Sequence, residues 1–321
     1  MIDGCGRKID RVRLSLLDRC NLACRYCVPE KNAGACGAIL DSDFAFELVR
    51  WLVQRHGIRF LRLTGGEPLL YPNLTDLVRR LSSIDALEEI SLTTNGQALA
   101  AQAQHLADAG LTRVNISLDS LIPHEFCKMT RGGRIDHTLN GVKAAIDAGL
   151  TPVKVNVVVQ RGFNDEEIPR IGEWGLALGC IVRFLEVMPV GPMSHVVDRH
   201  LVPAAEIHER LSTYFELRSI PTIAGQPSED HYATGRGLRG IIGIVAPTTK
   251  PFCARCRRIR VTSQGALVTC LHDTNRVDLS RYWDGRKFDS RGASASIEKA
   301  VREKPAMGRG GQLVSMQSLG G

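Results

Sequence analysis

The chain has 321 residues, 44% of them hydrophobic, and a formal charge of +7 at neutral pH. That is enough apolar sequence for one large core with a small satellite, and no run approaches the roughly 18 apolar residues of a membrane span, so a soluble cytoplasmic protein without membrane contact is expected. The basic residues are dispersed and aromatics are only 5%, which argues against a nucleic-acid polymer as partner and leaves room for a small anion.

From about residue 9 to 190, short β-branched runs alternate with helical stretches. The first run, RVRLSLL (11–17), is followed by DRCNLACRYCVPE (18–30), which crowds Cys20, Cys24 and Cys27 into one loop. A helix over DFAFELVRWLVQRH (43–56) leads to the strand IRFLRLT (58–64) and then to Gly65-Gly66-Glu67-Pro68. LTDLVRRLSS (74–83) reads as helix, EISLTT (89–94) as strand, AQHLADAG (103–110) as helix, and TRVNISLD (112–119) as a strand reaching Asp119-Ser120. TLNGVKAAIDAG (138–149), PVKVNVVV (152–159), IPRIGEWGLALG (168–179) and IVRFLEVM (181–188) complete the alternation, with Gly110, Gly149 and Gly179 where helices should stop. Six βα units in a row predict an α/β fold, better suited to an incomplete barrel than to a doubly wound sheet. Active groups then belong at the carboxyl ends of the strands, where the cysteine loop, GGEP, Thr94-Asn95-Gly96 and Asp119-Ser120 all fall.

Beyond about residue 195 the pattern fades into a helix near 203–215, a loop rich in Gly, Pro and Ser, and short strands around FCARCRRIRVTSQGALVTCLH (252–272). The expected organisation is a barrel over 1–195 and a smaller C-terminal layer over 196–321, whose end, GRGGQLVSMQSLGG, reads as a flexible tail.

Ten cysteines in a chain with no secretion signal point to metal ligands, catalytic groups or core residues, not to a disulfide framework. The spacing C-x3-C-x2-C lets three soft thiolates meet one small object, and three ligands on a four-iron cluster leave one iron open. A zinc site with a distant fourth ligand, or plain turn thiols, are the alternatives. In the second group, Cys253, Cys256 and Cys270 are brought together by a hairpin turning at Gly265, and zinc with His272 as fourth ligand is as good a reading as iron. Arg258 and Arg260, two apart on a strand, share one face beside it. With Arg13 and Arg62 they form a group matched to a polyphosphate, the alternative being a solvated basic face.

DRCNLACRYCVPE followed by RLTGGEPLL resembles the radical S-adenosylmethionine (radical SAM) superfamily. With SLTTNG, VNISLDS, VKVNVVV, RFLEVMPVG, FCARCRRIRVT and a terminal Gly-Gly, nearly the whole chain resembles the GTP 3′,8-cyclase family, also called the molybdenum cofactor biosynthesis protein A family. The resemblance implies an incomplete (βα)6 TIM-like barrel of the radical SAM type with a smaller C-terminal α+β layer carrying a second Fe-S cluster. It implies a lyase that converts GTP to (8S)-3′,8-cyclo-7,8-dihydroguanosine 5′-triphosphate, the first step of molybdenum cofactor biosynthesis. Two [4Fe-4S] clusters and S-adenosylmethionine are the implied cofactors. One cluster, on Cys20, Cys24 and Cys27, would cleave S-adenosylmethionine to a radical that removes the ribose 3′ hydrogen; the other, on Cys253, Cys256 and Cys270, would contact the guanine. Tyr26, Gly66, Ser117 and Met188 fall on cofactor positions, and Arg13, Arg62, Thr93, Lys154, Arg258, Ile259 and Arg260 on the GTP site, with Arg258 and Arg260 in the catalytic set beside the first three cysteines. GTP as substrate, an electron-donor protein, a downstream cyclic pyranopterin monophosphate synthase and a homodimer are the partners it implies.

The chain departs from the family pattern in four places. Phe60 and Tyr71 stand where basic residues are common, Arg257 where Asn is common, and the tail SMQSLGG lacks the usual Arg. These changes bear on GTP affinity and the cyclisation outcome more than on cofactor cleavage. Cys5, Cys36, Cys127 and Cys180 match no role. A radical peptide-modifying enzyme with an auxiliary cluster, and a zinc-stabilised nucleotide-binding module, are the competing readings.

Overall fold

A computed structural model of the protein describes residues 1–28, 37–223, 225–273 and 275–308. Cys36 and the terminal Gly-Gly therefore lie outside the described residues. Six parallel strands lie side by side in chain order: β1 (Arg11–Ser15), β2 (Phe60–Thr64), β3 (Glu89–Thr94), β4 (Arg113–Ser117), β5 (Lys154–Val159) and β6 (Ile181–Glu186). Between them run α1 (Ser42–His56), α2 (Leu74–Ser82), α3 (Ala103–Asp108), α4 (Pro123–Thr130), α5 (Ile135–Asp147) and α6 (Ile168–Ala177). When every right-handed crossover steps one strand in the same direction, the helices collect on one face and the other face curls around an interior. Local signals bound the helices: the Asp41 side chain accepts the Phe44 N–H at the start of α1, and Gly57, at φ 68°, closes it.

The C-terminal part extends both edges of this same sheet. After α7 (Val197–His200) and α8 (Ala204–Ser212) come β7 (Glu216–Ser219), β8 (Glu229–Gly235) and β9 (Leu238–Val245). β9 lies parallel beside β6, with β8 and β7 antiparallel beyond it. At the opposite edge β10 (Arg258–Val261) runs parallel to β1 and is followed by β11 (Ala266–Val268) and β12 (Val277–Asp278). α9 (Ser290–Arg302) buries Ala293, Ile297 and Val301 in the core. β9 and β10 thus give the six-stranded arc a parallel neighbour on each side, among the described residues.

Strand alternation separates two chemistries. Val12, Leu14, Leu61, Leu63, Leu92, Val114, Ile116, Val155, Val157, Val182 and Phe184 are buried and form the core beneath the helices. Each such aliphatic side chain, fully buried, contributes about 1.5–3 kcal/mol over its exposed state. The residues between them, which face the interior, are largely polar, so the inner face is a polar wall and not a second packed core.

Candidate active site

The first cysteine loop is fastened to the end of β2. Gly66 N–H donates to the Leu17 carbonyl at 2.6 Å and Glu67 N–H to the Arg19 carbonyl at 2.9 Å. A Cβ on Gly66 would lie 2.2 Å from the Arg19 carbonyl oxygen, so only glycine permits this approach. On its far side the loop is tied to α4 by Ala23 N–H to the Thr130 carbonyl and Arg25 N–H to the Met129 carbonyl. Cys20 Sγ accepts from Leu22 N–H at 3.4 Å and Asn95 Nδ2 at 3.8 Å. Burial, then Asp119, Cys27 and Cys20, push the Cys24 thiol well up, and burial pushes Cys20 up to about 11. Cys20 and Cys24, which resist ionisation unaided, and Cys27 on the same loop are a donor set suited to a metal centre able to supply positive charge.

Two buried carboxylates stand beside this loop. Glu67 accepts from Thr94 Oγ1 at 2.6 Å, Asn95 N–H at 2.8 Å and Leu69 N–H at 3.1 Å, and burial still raises it to about 7. Asp119 accepts from the Tyr26 hydroxyl at 2.9 Å and Val158 N–H at 2.9 Å, and burial raises it to about 6. Tyr26 is therefore anchored across the mouth by its hydroxyl. Ser117 ends β4 on the inner face, in register with Asn156. Met188 packs on Val190, Val268 and Leu271, between the end of β6 and the second cysteine group.

The inner wall is cationic. Arg260, Arg13 and Arg62 lie side by side in register across β10, β1 and β2, with Arg258 and Arg11 one step below. Arg113, Lys154 and Arg183 continue the same face on β4, β5 and β6. Against them the described inner positions of β1–β6 and β10 offer only Glu89, which binds Arg113 at 2.6 and 2.8 Å, while Asp230 on β8 lies 3.9 Å from Arg183. Burial, then Arg113, Arg183 and Arg258, pushes Arg62 down to about 9. Burial, then Arg183 and Arg113, pushes Lys154 down to about 7, and burial with Arg258 takes Arg260 to about 10. Arg13 is lowered well below its usual range by burial and by Arg260, Arg62 and Arg258. Buried cations that strain one another in this way are relieved by a polyanion. Thr93 Oγ1, on the same face, is buried with no hydrogen-bond partner among the described residues, an acceptor and donor left for a ligand.

Ile259 behaves differently from its neighbours. It pairs with Val12 and is fully buried on the core side, so any ligand contact it makes is through its main chain.

The second cysteine group sits at the edge of this wall. Burial opposes ionisation of Cys256, but Arg258, Lys304 and hydrogen bonds from Arg258 outweigh it and bring the thiol down to about 7. Cys256 and Cys270 both act on Arg260 and on Lys304, whose Nζ donates to the Thr269 carbonyl. Arg7, paired with Asp3 at 2.6 Å, donates to the carbonyls of Cys253, Lys304, Pro305 and Ala306. Among the described residues no three His, Cys, Asp or Glu side chains are set around a single ion. Thiols held in cationic surroundings suit an anionic sulfur-ligated cluster.

Residues 14–175 match the model of the radical SAM superfamily, and residues 180–309 match the model described as Molybdenum Cofactor Synthesis C. The GTP 3′,8-cyclase of Moorella thermoacetica is 41% identical over 95% of this chain and 94% of its own length. That of Paenarthrobacter nicotinovorans is 41% identical over 87% of this chain and 82% of its own. This chain belongs to the GTP 3′,8-cyclase family. Among solved structures, the SuiB protein of Streptococcus suis bound to its precursor peptide SuiA superposes with a TM-score of 0.63 at 14% identity. That match covers 87% of this chain and 66% of SuiB, and it shows a common radical SAM fold.

As a cyclase-family enzyme, the chain carries residues that motif reading passed over. Arg11, Arg113 and Arg183 line the wall, and strand alternation from Arg13 and Lys154 was the signal available for them. Arg7 and Lys304 reach the second cysteine group from opposite ends of the sequence, Arg7 at the Cys253 carbonyl and Lys304 acting on Cys256, and leave no local pattern.

Proposed function

We propose that this enzyme converts GTP to (8S)-3′,8-cyclo-7,8-dihydroguanosine 5′-triphosphate at the head of molybdenum cofactor synthesis. The observation that carries the reading is an interior with buried carboxylates beside one thiol triad and an excess of buried cations beside the other. Cys20, Cys24 and Cys27 would hold one [4Fe-4S] cluster and Cys253, Cys256 and Cys270 the second. Together with S-adenosylmethionine, the first centre supplies a carbon radical able to take hydrogen from an unactivated C–H bond.

The protein's own share is placement and charge. Glu67 and Asp119 present negative charge to the cationic cofactor, while Gly66 and Tyr26 shape its berth, which Ser117 and Met188 would complete. Arg13, Arg62, Lys154, Arg258 and Arg260 draw the triphosphate, and Thr93 offers a hydroxyl. Fixing base and ribose together is the main demand of closing a bond between C3′ and C8, and it is met by binding at both ends of the nucleotide. Residues 1–195 then form the radical SAM barrel, which also lends Arg13, Arg62, Thr93 and Lys154 to the substrate, and 196–321 the auxiliary-cluster and substrate-binding region. A reductant protein, a downstream cyclic pyranopterin monophosphate synthase, a homodimeric assembly and a cytoplasmic location complete the reading.

The test is an anaerobic reaction of cluster-loaded protein with S-adenosylmethionine, reductant and GTP deuterated at C3′. Deuterium recovered in 5′-deoxyadenosine together with a cyclised nucleotide is expected. Deoxyadenosine without label and without that nucleotide would overturn the substrate assignment.

A further inference from the structure

Two of the four departures from the family pattern, Phe60 and Arg257, meet in one place. Tyr71 is accounted for by its hydroxyl, which donates to the Leu40 carbonyl at 2.7 Å and helps fasten the stretch before α1. Phe60 and Arg257 instead converge on Arg11. The Arg11 guanidinium lies 3.9 Å over the Phe60 ring centroid, its register partner on β2, and its register partner on β10 is Arg258. Arg257 Nη2 donates to Asp10 Oδ2, taking one oxygen of the carboxylate next to Arg11. Arg11 Nε is 3.8 Å from Asp10 Oδ1, and that nitrogen is buried with no hydrogen-bond partner among the described residues. Room for both guanidiniums is left by Gly225, where a Cβ would stand 2.7 Å from Arg257 Cδ and 3.2 Å from Arg11 Nε.

Stacking on an aromatic ring fixes the plane of a guanidinium while leaving the donors around its edge available. Arg11 shares the inner face with Arg13, two residues on, and pairs in register with Arg258; the charges that act on it are the carboxylates Asp10 and Glu89 and the cations Arg257 and Arg113. Each of those carboxylates is already hydrogen-bonded to another arginine, Asp10 to Arg257 and Glu89 to Arg113, so the donors of Arg11 are left for a further anion.

We propose that Arg11 is a further substrate-binding residue, a guanidinium levelled on Phe60 with its Nε left without a hydrogen bond, and that it bonds the phosphate chain of the nucleotide. The assignment rests on the GTP reading above. It places on β1 the positive charge that position 60 of β2 lacks, so the cation-lined wall keeps its strength by relocation.

Equilibrium binding of GTP and of guanosine to anaerobic, cluster-loaded protein tests it. Arg11→Gln should weaken GTP roughly 10- to 100-fold, as expected for a lost charge-assisted phosphate contact, while guanosine binds within about twofold of the unaltered protein. Adding Phe60→Lys to Arg11→Gln should recover most of the GTP affinity, because the cation returns one strand away. Should Arg11→Gln misfold, Arg11→Met keeps the apolar stem against Phe60 and carries the same expectations. Undiminished GTP binding, an equal loss for guanosine, or a double variant no better than the single one would overturn the role of Arg11. Failure of the unaltered protein to bind GTP at all would overturn the cyclase reading together with it.

Discussion

The two cysteine triads use the same ligand type in opposite surroundings. Beside the first stand Glu67 and Asp119, and its thiols Cys20 and Cys24 are pushed up by burial and neighbouring negative groups. Beside the second stand Arg258, Arg260 and Lys304, and Cys256 comes down to about 7. What distinguishes the sites is therefore the sign of the charge around them. A sulfonium carrying an ammonium suits the first, and a polyphosphate suits the wall that leads to the second. One interior can then hold two ligands without exchanging their places.

The largest expected effect comes from breaking the first triad. Cys24→Ala should reduce deoxyadenosine formation from S-adenosylmethionine to background in anaerobic reactions followed by chromatography, and formation at the unaltered rate would remove this loop from its role. Next is Arg258→Ala, which takes a cation from both the wall and Cys256. GTP binding should weaken by roughly 10- to 100-fold in equilibrium titrations, whereas unchanged affinity would count against the contrast between the triads.

Lys154 sharpens the comparison through pH. Its lowered value of about 7, against 10.5 normally, reflects burial followed by Arg183 and Arg113. A bound polyphosphate raises it again, so GTP affinity should fall by up to about 10-fold per unit as pH rises above 7. Calorimetry in two buffers of different ionisation heat should show proton uptake on binding, and Lys154→Met should remove it.

Glu67 gives the smallest and opposite trend. Burial raises its carboxyl from 4.5 to about 7, so its contribution to the stability of the unloaded protein is full below pH 4.5 and is lost as pH rises through 7. A cationic ligand favours the ionised form. S-adenosylmethionine should bind several-fold more tightly at pH 8 than at pH 6, and Glu67→Gln should flatten that slope.

Legibility in the sequence followed the range of each interaction. The six barrel strands stand out because RVRLS, FLRLT and KVNVVV bury every second residue beneath helices. α4 was missed because PHEFCKMT is short and carries only Phe126 and Met129 as strong apolar markers. β8 was missed because EDHYATG buries a single residue, Ala233, at its core. The triads were visible as spacing, while their electrostatic difference was not, since it depends on Glu67 and Asp119 meeting Cys20 and Cys24 from other strands. The side-chain direction of Ile259, between two functional arginines, follows from alternation alone.

Arg7 joins a carbonyl of the second cysteine knuckle to three carbonyls at positions 304–306. The full four-carbonyl clasp around Arg7 therefore closes only once residue 306 has been made. The first loop takes its hydrogen bonds from residues 17–131 and stacks Arg25 on Phe163, all made much earlier. The two cysteine groups thus differ in how much of the chain must exist before their fastenings are complete.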